Sequence, residues 1–259
     1  MTGAPEPIIQ FEGLSKYFGG LKAAENISFL VQPGQIFAII GPNGAGKTTI
    51  FNCVSGIYMP TKGTIRFGPH LLGGLKPHRV TGLGIARTFQ NIRIFPEMSV
   101  LENVMVGGHL AYSYGIFQAL VQPPGMKRKE RANEEAALDW LRFVGIAHYA
   151  DHLAKNLPYG SQRRLEIARA LATKPRLLLL DEPAAGLNPQ ETMDLMQLIR
   201  KIRDRGLTIL LIEHDMRVVM GISDRILVLD HGEAILEGTP AEVQANARVI
   251  EAYLGAKRS

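Results

Sequence analysis

The stretch "GPNGAGKT", residues 41–48, directly follows the short apolar run "IFAII" at residues 36–40 and precedes a helix-like segment. A strand, a glycine-rich loop and a helix in this order form the context in which the pattern G-x-x-x-x-G-K-[ST] binds phosphate. The glycines let successive backbone N–H groups point at one anion, and the helix adds the positive end of its dipole. Lys47 would reach the terminal phosphates of a nucleotide, and the Thr48 hydroxyl would bind Mg²⁺. The alternative is a plain glycine turn, which the strand–loop–helix context disfavours.

A second element of a nucleotide site is predicted at "LLLLDE", residues 177–182. The leucine run is typical of a buried strand, and Asp181 at its end lies where ligands bind in open α/β sheets. Asp181 would hold Mg²⁺, directly or through a water molecule, and Glu182 would accept a proton from an attacking water. Two solvated acids at a strand end are the alternative, and the upstream phosphate loop makes that alternative the weaker one.

Two further polar residues follow predicted strands. Gln90 ends the stretch "GIARTF" at residues 84–89, and His214 follows the strand-like "LTILLIE" at residues 207–213. Because strands of a parallel sheet end at one edge, both side chains are expected to converge on a γ-phosphate together with Asp181. Each residue alone is more often structural, so the prediction depends on the whole set.

The order of predicted elements favours an α/β fold. Short β-rich runs fill the first part of the chain, and the alternating "GTIRFG" at residues 63–68 is predicted to be an edge strand. Strands and helices alternate in the last part, which predicts a mostly parallel sheet covered by helices. The expected division is one domain with a core of residues 1–95 and 175–259 and an inserted helical subdomain of residues 96–174.

Several helix boundaries can be predicted from local signals. Ser99 and Glu102 have the spacing of a capping box, and Asn188 is expected to be the N-cap of a later helix. Trp140 and Phe143 lie in an amphipathic segment, which predicts that both are core residues.

The bulk properties indicate a soluble cytoplasmic protein. The chain has 259 residues, a formal net charge of +5 and 46% hydrophobic residues. The first ten residues lack the basic and apolar regions of a signal peptide, and no apolar run approaches the length of a membrane span. Cys53 is the single cysteine, which excludes an internal disulfide and fits a reducing compartment.

Taken together, these motifs resemble those of the ATP-binding cassette (ABC) family of transport ATPases. The loop at residues 41–48 resembles its Walker A motif, and residues 177–182 resemble its Walker B motif. The other matching elements occur in the expected order along the chain: Phe18 as the adenine-stacking aromatic, Gln90 as the Q-loop, "LPYGSQRRLEIARAL" at 157–171 as the signature segment, "AAGLNP" at 184–189 as the D-loop and His214 as the switch histidine.

The resemblance implies a P-loop NTPase core of RecA type with an antiparallel β subdomain and an inserted α-helical subdomain. It also implies that two cassettes sandwich two ATP molecules head to tail. ATP and Mg²⁺ are then the expected ligands, and the resemblance assigns residues to four roles. Catalysis falls to Glu182, His214 and Gln90; Mg²⁺ to Thr48, Gln90 and Asp181; nucleotide contacts within the chain to Phe18, Gly41, Pro42, Asn43, Gly44, Ala45, Gly46, Lys47, Thr48 and Thr49; and contacts across the dimer to Tyr159, Gly160, Ser161, Gln162 and Asn188.

Two positions depart from the family pattern. Pro158 stands where the signature segment usually has a serine, and Asn188 stands where the D-loop usually has an aspartate. Proline removes both a hydroxyl and a backbone donor. We therefore hypothesise that Ser161 takes over part of the lost phosphate contact.

Longer stretches of the sequence, including the tail at residues 237–255, resemble the ATPase subunits of high-affinity branched-chain amino-acid importers. This implies a peripheral protein on the cytoplasmic face of the inner membrane. Its partners would be a second cassette, identical or a paralogue, two permease subunits and, indirectly, a substrate-binding protein, with no nucleic acid. The alternatives are an amide or urea importer, a lipopolysaccharide exporter and a non-transport ATPase switch. The aromatic segment at residues 109–125 could contact a permease or pack within the helical subdomain.

Overall fold

The computed structural model describes residues 6–108, 124–249 and 251. The chain divides into two compact units, one of Met1–Ile85 with Arg176–Ser259 and one of Ala86–Pro175. Most of the aromatic segment discussed above, residues 109–123, lies outside the described residues. Within the part of the chain that the structure describes, no helix combines the length and apolarity that a membrane crossing requires.

A six-stranded sheet contains the strands that lead to the predicted nucleotide site. Its order is β10-β9-β3-β8-β7-β6, in which β3 runs parallel to β8 and β9, β7 parallel to β8, and β10 antiparallel to β9. Its strands are β3 (Ile36–Ile40), β6 (Ile85–Arg87), β7 (Leu177–Asp181), β8 (Thr208–Ile212), β9 (Arg225–Asp230) and β10 (Glu233–Gly238). Every residue of β3, β7 and β8 is buried, as expected for apolar strands covered on both faces. The predicted, mostly parallel sheet is confirmed.

A second sheet of the first unit is antiparallel, with the order β2-β1-β4-β5. Its strands are β1 (Ile9–Phe18), β2 (Leu21–Val31), β4 (Lys62–Phe67) and β5 (His70–Leu71). The rings of Phe11 and Phe29 stack across the first pair with centroids 4.0 Å apart, and Phe29 lies 5.2 Å from Phe37 of β3. The prediction that residues 63–68 form an edge strand is wrong, because the two-residue strand β5 pairs on the outer side of β4.

Three of the helices described in the first unit begin with a proline, a residue that favours the first helical position. The helices of this unit are Lys47–Val54, Pro77–Gly82, Pro189–Asp204, Met216–Ile222 and Pro240–Ala245. The Asn188 side chain accepts from the Glu191 N–H at 2.9 Å, and the Glu191 carboxylate accepts from the Asn188 N–H at 3.0 Å. The predicted N-cap at Asn188 is confirmed, and the reciprocal pair makes it a complete capping box.

The second unit is helical, with helices Val100–Gly108, Pro124–Val144 and Tyr159–Ala172. The capping box of Ser99 and Glu102 is confirmed by two reciprocal hydrogen bonds of 2.7 and 3.1 Å. The prediction that Trp140 and Phe143 are core residues is wrong, since both are half-buried and meet edge to face at 5.8 Å. Amphipathic spacing identifies the buried side of a helix but not how deep each position lies on that side.

Candidate functional site

The loop at residues 41–48 holds its lysine inside the fold. The Lys47 side chain is buried, and its Nζ donates to the carbonyl oxygens of Gly41 at 2.7 Å and Pro42 at 2.9 Å. The helix Lys47–Val54 begins directly after Gly46, which has a φ of 95°. The predicted strand–loop–helix arrangement is therefore present, with Asn43, Gly44 and Thr48 exposed.

Gly46 is required by the surroundings of the loop as well as by its backbone conformation. A Cβ at this position would overlap the Ala23 carbonyl oxygen of β2. We therefore expect Gly46→Ala to lower the free energy of unfolding by about 2 kcal/mol or more, from a positive φ combined with overpacking. Urea denaturation measures this loss.

Gly44→Ala is the matched control for that prediction. Gly44 also has a positive φ, of 82°, but a Cβ there would meet nothing within 4 Å. This variant should lose only about 1 kcal/mol, the lower end of the cost of backbone strain. Equal stability of the two variants would contradict the requirement for close approach at Gly46.

Two carboxylates face the buried lysine. Asp181 is the last residue of β7 and is buried, and Glu182 follows it. Burial lowers the pKa of Lys47, and the charges of Glu182 and Asp181 act in the opposite direction. The structure thus brings Lys47, Asp181 and Glu182 together, as the sequence predicts.

Glu182 and His214 also lie close together. Glu182 has a φ of 47°, a conformation that is uncommon for residues other than glycine, and its N–H donates to the Ile212 carbonyl at 2.9 Å. The His214 Nδ1 lies 3.5 Å from Glu182 Oε2, and the two side chains are 59% and 17% exposed. A half-exposed imidazole beside a partly shielded carboxylate can orient groups that enter from solvent.

The sequence reasoning missed Glu213, which lies directly behind this pair. Its Oε1 accepts from the Ala184 N–H at 2.8 Å, and its Oε2 accepts from the N–H groups of His214 at 2.9 Å and Asp215 at 3.2 Å. Burial raises the pKa of the Glu213 carboxyl, and these hydrogen bonds act in the opposite direction. The sequence does contain a signal for this residue, since Glu213 ends the apolar run "TILLIE". A carboxylate beside a buried strand is itself expected to be buried and therefore to need hydrogen-bond partners.

Phe18 ends β1 with its ring partly exposed. The ring is 41% exposed, meets Tyr58 edge to face at 5.1 Å, and lies 4.9 Å from the Lys16 Nζ. The Tyr58 ring and the Lys16 ammonium, which lies over one face, fix the orientation of the Phe18 ring while leaving part of it accessible. This geometry is suited to stacking against a flat ligand.

Gln90 belongs to the second unit, and its predicted position at a strand end is wrong. Strand β6 ends at Arg87, so Gln90 is exposed three residues farther along the chain. Its backbone carbonyl accepts from Arg163 Nη2 at 2.9 Å. Arg163 thus holds the backbone of Gln90 beyond the end of the sheet strand.

Arg163 and Glu166 form a buried ion pair that organises this segment. Arg163 Nη1 lies 2.8 Å from Glu166 Oε2, and both side chains are almost completely buried. The same Nη1 donates to the Phe89 carbonyl at 2.8 Å, while Glu166 Oε1 accepts from the N–H groups of Phe89 at 3.2 Å and Arg93 at 3.4 Å. The pair therefore ties residues 89–93 to the helix Tyr159–Ala172.

The first turn of that helix carries the predicted signature residues. Pro158 precedes the helix in an extended conformation, with φ −54° and ψ 150°, and provides no side-chain cap. Tyr159 is 45% exposed, Gly160 and Ser161 are half-buried, and Gln162 Nε2 donates to the Leu157 carbonyl at 2.9 Å. Asn188, the D-loop residue, lies in the first unit, where its side chain caps the helix Pro189–Asp204.

Comparison with known families now defines the class of protein. Residues 24–185 match the family model described as "ABC transporter", so the chain belongs to the ABC transporter family. It is an ATP-binding cassette with ATPase chemistry, and the resemblance stated from the motifs is confirmed. A second family model, described as "Branched-chain amino acid ATP-binding cassette transporter", matches residues 235–258.

The chain is similar to individual members of this family along almost its whole length. It is 48% identical over 251 residues to the high-affinity branched-chain amino acid transport ATP-binding protein LivG of Salmonella typhimurium, covering 96% of the chain and 98% of LivG. It is also 48% identical over 250 residues to the corresponding protein BraF of Pseudomonas aeruginosa, covering 96% and 98%.

The fold is shared with a solved cassette. The crystal structure of the ADP conformation of an ATP-binding cassette of an ABC transporter superposes with a TM-score of 0.83 at 31% identity, covering 96% of this chain and 99% of the other. The predicted α/β cassette fold is confirmed by this likeness.

Proposed function

We propose that the chain is the ATP-hydrolysing subunit of an importer for branched-chain amino acids. The similarity to LivG and BraF over 96% of the chain carries this proposal, and the match of residues 235–258 to the branched-chain family model supports it. In this function ATP binding closes two cassettes, and hydrolysis resets the attached permeases. The cassette itself does not need to contact the amino acid.

The first unit fits the phosphates of ATP. The loop is exposed at Asn43 and Gly44, and the buried Lys47 ammonium beside it donates to the loop carbonyls of Gly41 and Pro42. Pro42 and Ala45 complete the loop, Thr49 lies in the first turn of the helix Lys47–Val54, and the partly exposed Phe18 ring would stack on adenine. We assign Glu182 as the general base and His214 as the residue that orients the γ-phosphate. Gln90 would bind the metal and help to position the attacking water.

The donor set also fits a magnesium ion. A threonine hydroxyl, an amide oxygen and a carboxylate are hard oxygen ligands of the kind that Mg²⁺ prefers. Thr48, Gln90 and Asp181 would hold the ion, and Asp181 already lies within the electrostatic reach of Lys47. When bound, Mg²⁺ neutralises charge on the β- and γ-phosphates.

The partners follow from the same proposal. A second cassette would place its signature turn, Tyr159 to Gln162, against the γ-phosphate held by this chain, and Asn188 would contact the same interface. Two permeases would hold the dimer at the cytoplasmic face of the membrane, with a substrate-binding protein on the opposite side. The first helical bond runs from the Gln162 N–H to the Pro158 carbonyl, so the N–H groups of residues 159–161 precede it, which supports an anion-facing role for this turn.

The Ser161 hydroxyl is expected to contribute to that interface. Ser161→Ala should weaken ATP-driven dimerisation by at least about tenfold, because hydrogen bonds to charged groups contribute roughly 1.5–3 kcal/mol and about 1.4 kcal/mol is a factor of ten. Analytical ultracentrifugation with ATP in a Glu182→Gln background measures the dimer affinity. Ser161→Thr keeps a hydroxyl and should dimerise like the parent, whereas equal affinity for all three proteins would assign the contact to the backbone alone.

Reconstituted transport tests the proposed function as a whole. The chain is co-expressed with its two permeases and second cassette, and ATP-dependent uptake into proteoliposomes is measured with labelled leucine and with labelled urea. Leucine uptake that requires the cassette supports the proposal. Uptake of urea alone would favour the amide and urea importers, movement of lipopolysaccharide would favour the exporter, and recovery with ribosomes or DNA but no permease would favour a non-transport switch.

A further inference from the structure

Glu213 joins two segments that each carry a residue assigned to hydrolysis. Glu213 directly follows β8 and precedes His214, and its side chain is 0% exposed. One carboxylate oxygen accepts from the N–H of Ala184, two residues after Glu182, and the other accepts from the N–H groups of His214 and Asp215. A single carboxylate therefore bonds to the backbone behind both Glu182 and His214.

The segment after Glu182 is compact and can transmit this restraint. The Ala185 N–H donates to the Glu182 carbonyl at 3.2 Å, and the Leu187 N–H donates to the Ala184 carbonyl at 3.1 Å. These two turns leave the Ala184 N–H directed at Glu213. A shift of the Glu213 carboxylate would move the backbone of both segments, and with it the 3.5 Å separation between the Glu182 and His214 side chains.

We propose that Glu213 is a positioning residue for ATP hydrolysis, which sets the separation between the Glu182 carboxylate and the His214 imidazole. The proposal rests on the roles assigned to Glu182 and His214 above. A carboxylate suits this task because both of its oxygens accept hydrogen bonds, and bonds to an ionised acceptor are shorter and stronger than neutral ones. A glutamine in its place would present an NH₂ group to one of the two segments and leave the facing N–H without an acceptor.

The test compares Glu213→Gln with the wild-type chain. We expect kcat for ATP hydrolysis to fall about tenfold or more, while KM for ATP and the affinity for a fluorescent ATP analogue change less than about twofold. Asp215→Asn is the matched control in the same segment. The amide oxygen of the variant can still cap the helix Met216–Ile222, and the Arg217 side chain that pairs with Asp215 is 77% exposed, so kcat should stay within about twofold of wild type.

A double-mutant cycle separates positioning from a general structural role. If Glu213 acts through the Glu182–His214 geometry, Glu213→Gln should slow single-turnover hydrolysis by less than about twofold in a His214→Ala background. If Glu213→Gln slows hydrolysis by the same large factor with and without His214→Ala, the proposal is overturned. It is also overturned if folded Glu213→Gln protein has the kcat of wild type. If Glu213→Gln shows no cooperative unfolding transition, Glu213→Asp enters the same cycle, because it retains the charge but is too short to reach both segments. A wild-type chain without ATPase activity would instead refute the proposed function.

Discussion

Glu182→Gln is expected to stop steady-state ATP hydrolysis while leaving ATP binding intact. A glutamine keeps the size of the side chain but cannot take a proton, and loss of a general base typically costs about 10²–10⁴-fold in rate. Glu182 lies beside both Lys47 and His214. Because the glutamine fills the same space, we expect the phosphate loop and the orientation of the imidazole to be retained. Phosphate release measures the rate, and size-exclusion chromatography with ATP should show an accumulated dimer.

Glu97→Gln serves as the control for this variant. Glu97 is a 74% exposed acid of the second unit that pairs with Lys155, so its replacement should leave turnover unchanged. Turnover by Glu182→Gln at the wild-type rate would remove Glu182 as the base. Turnover loss together with lost nucleotide binding would instead indicate a damaged loop.

Arg163→Met is expected to have the largest effect on stability. It leaves the buried Glu166 carboxylate without its cationic partner, a change that typically costs about 3–5 kcal/mol. It also removes the donors to the Phe89 and Gln90 carbonyls. Urea denaturation should show this loss as a lower midpoint of unfolding.

Arg142→Met provides a matched comparison, since Arg142 and Asp139 form an ion pair with the same three-residue spacing on an exposed helix surface. With side chains 65% and 74% exposed, that pair should contribute less than about 1 kcal/mol. Similar losses for both variants would contradict the importance of burial.

The pH dependence of Arg163→Met has a definite sign. Burial already raises the pKa of Glu166, and the Arg163 charge is one of the influences that lower it. Without that charge the folded protein binds a proton at Glu166 more readily than the unfolded chain does. The destabilisation of the variant relative to wild type should therefore be smallest below the unfolded pKa near 4.5 and grow as the pH rises above it, which urea denaturation at several pH values measures.

The nucleotide-binding half of the site could be predicted because local sequence specifies it. Strands β3 and β7 are uninterrupted apolar runs, and the capping boxes at Ser99 and Asn188 need only two residues each. The loop at residues 41–48 likewise carries its own glycines and lysine. Each of these elements depends on neighbours within a few positions along the chain.

The errors arose where distant contacts decide the structure. Gln90 lies beyond its strand, and its carbonyl accepts from Arg163, which is more than seventy residues away in the sequence. The burial of Trp140 depends on which helices cover it, and spacing within one helix does not contain that information. Glu213 was missed for the same reason, since one of its three donors is the N–H of Ala184, which the sequence does not place beside it.

The hydrogen bonds of Lys47 have a consequence for the thermodynamics of ATP binding. An ammonium group has three donors, and the carbonyls of Gly41 and Pro42 take two of them. The lysine side chain is thus ordered when the chain folds. The loss of rotamer entropy, roughly 1.5–2 kcal/mol for a lysine, therefore occurs on folding and does not oppose ATP binding. A phosphate that accepts the third N–H meets a preorganised cation, so Lys47 can favour binding through enthalpy with little opposing entropy.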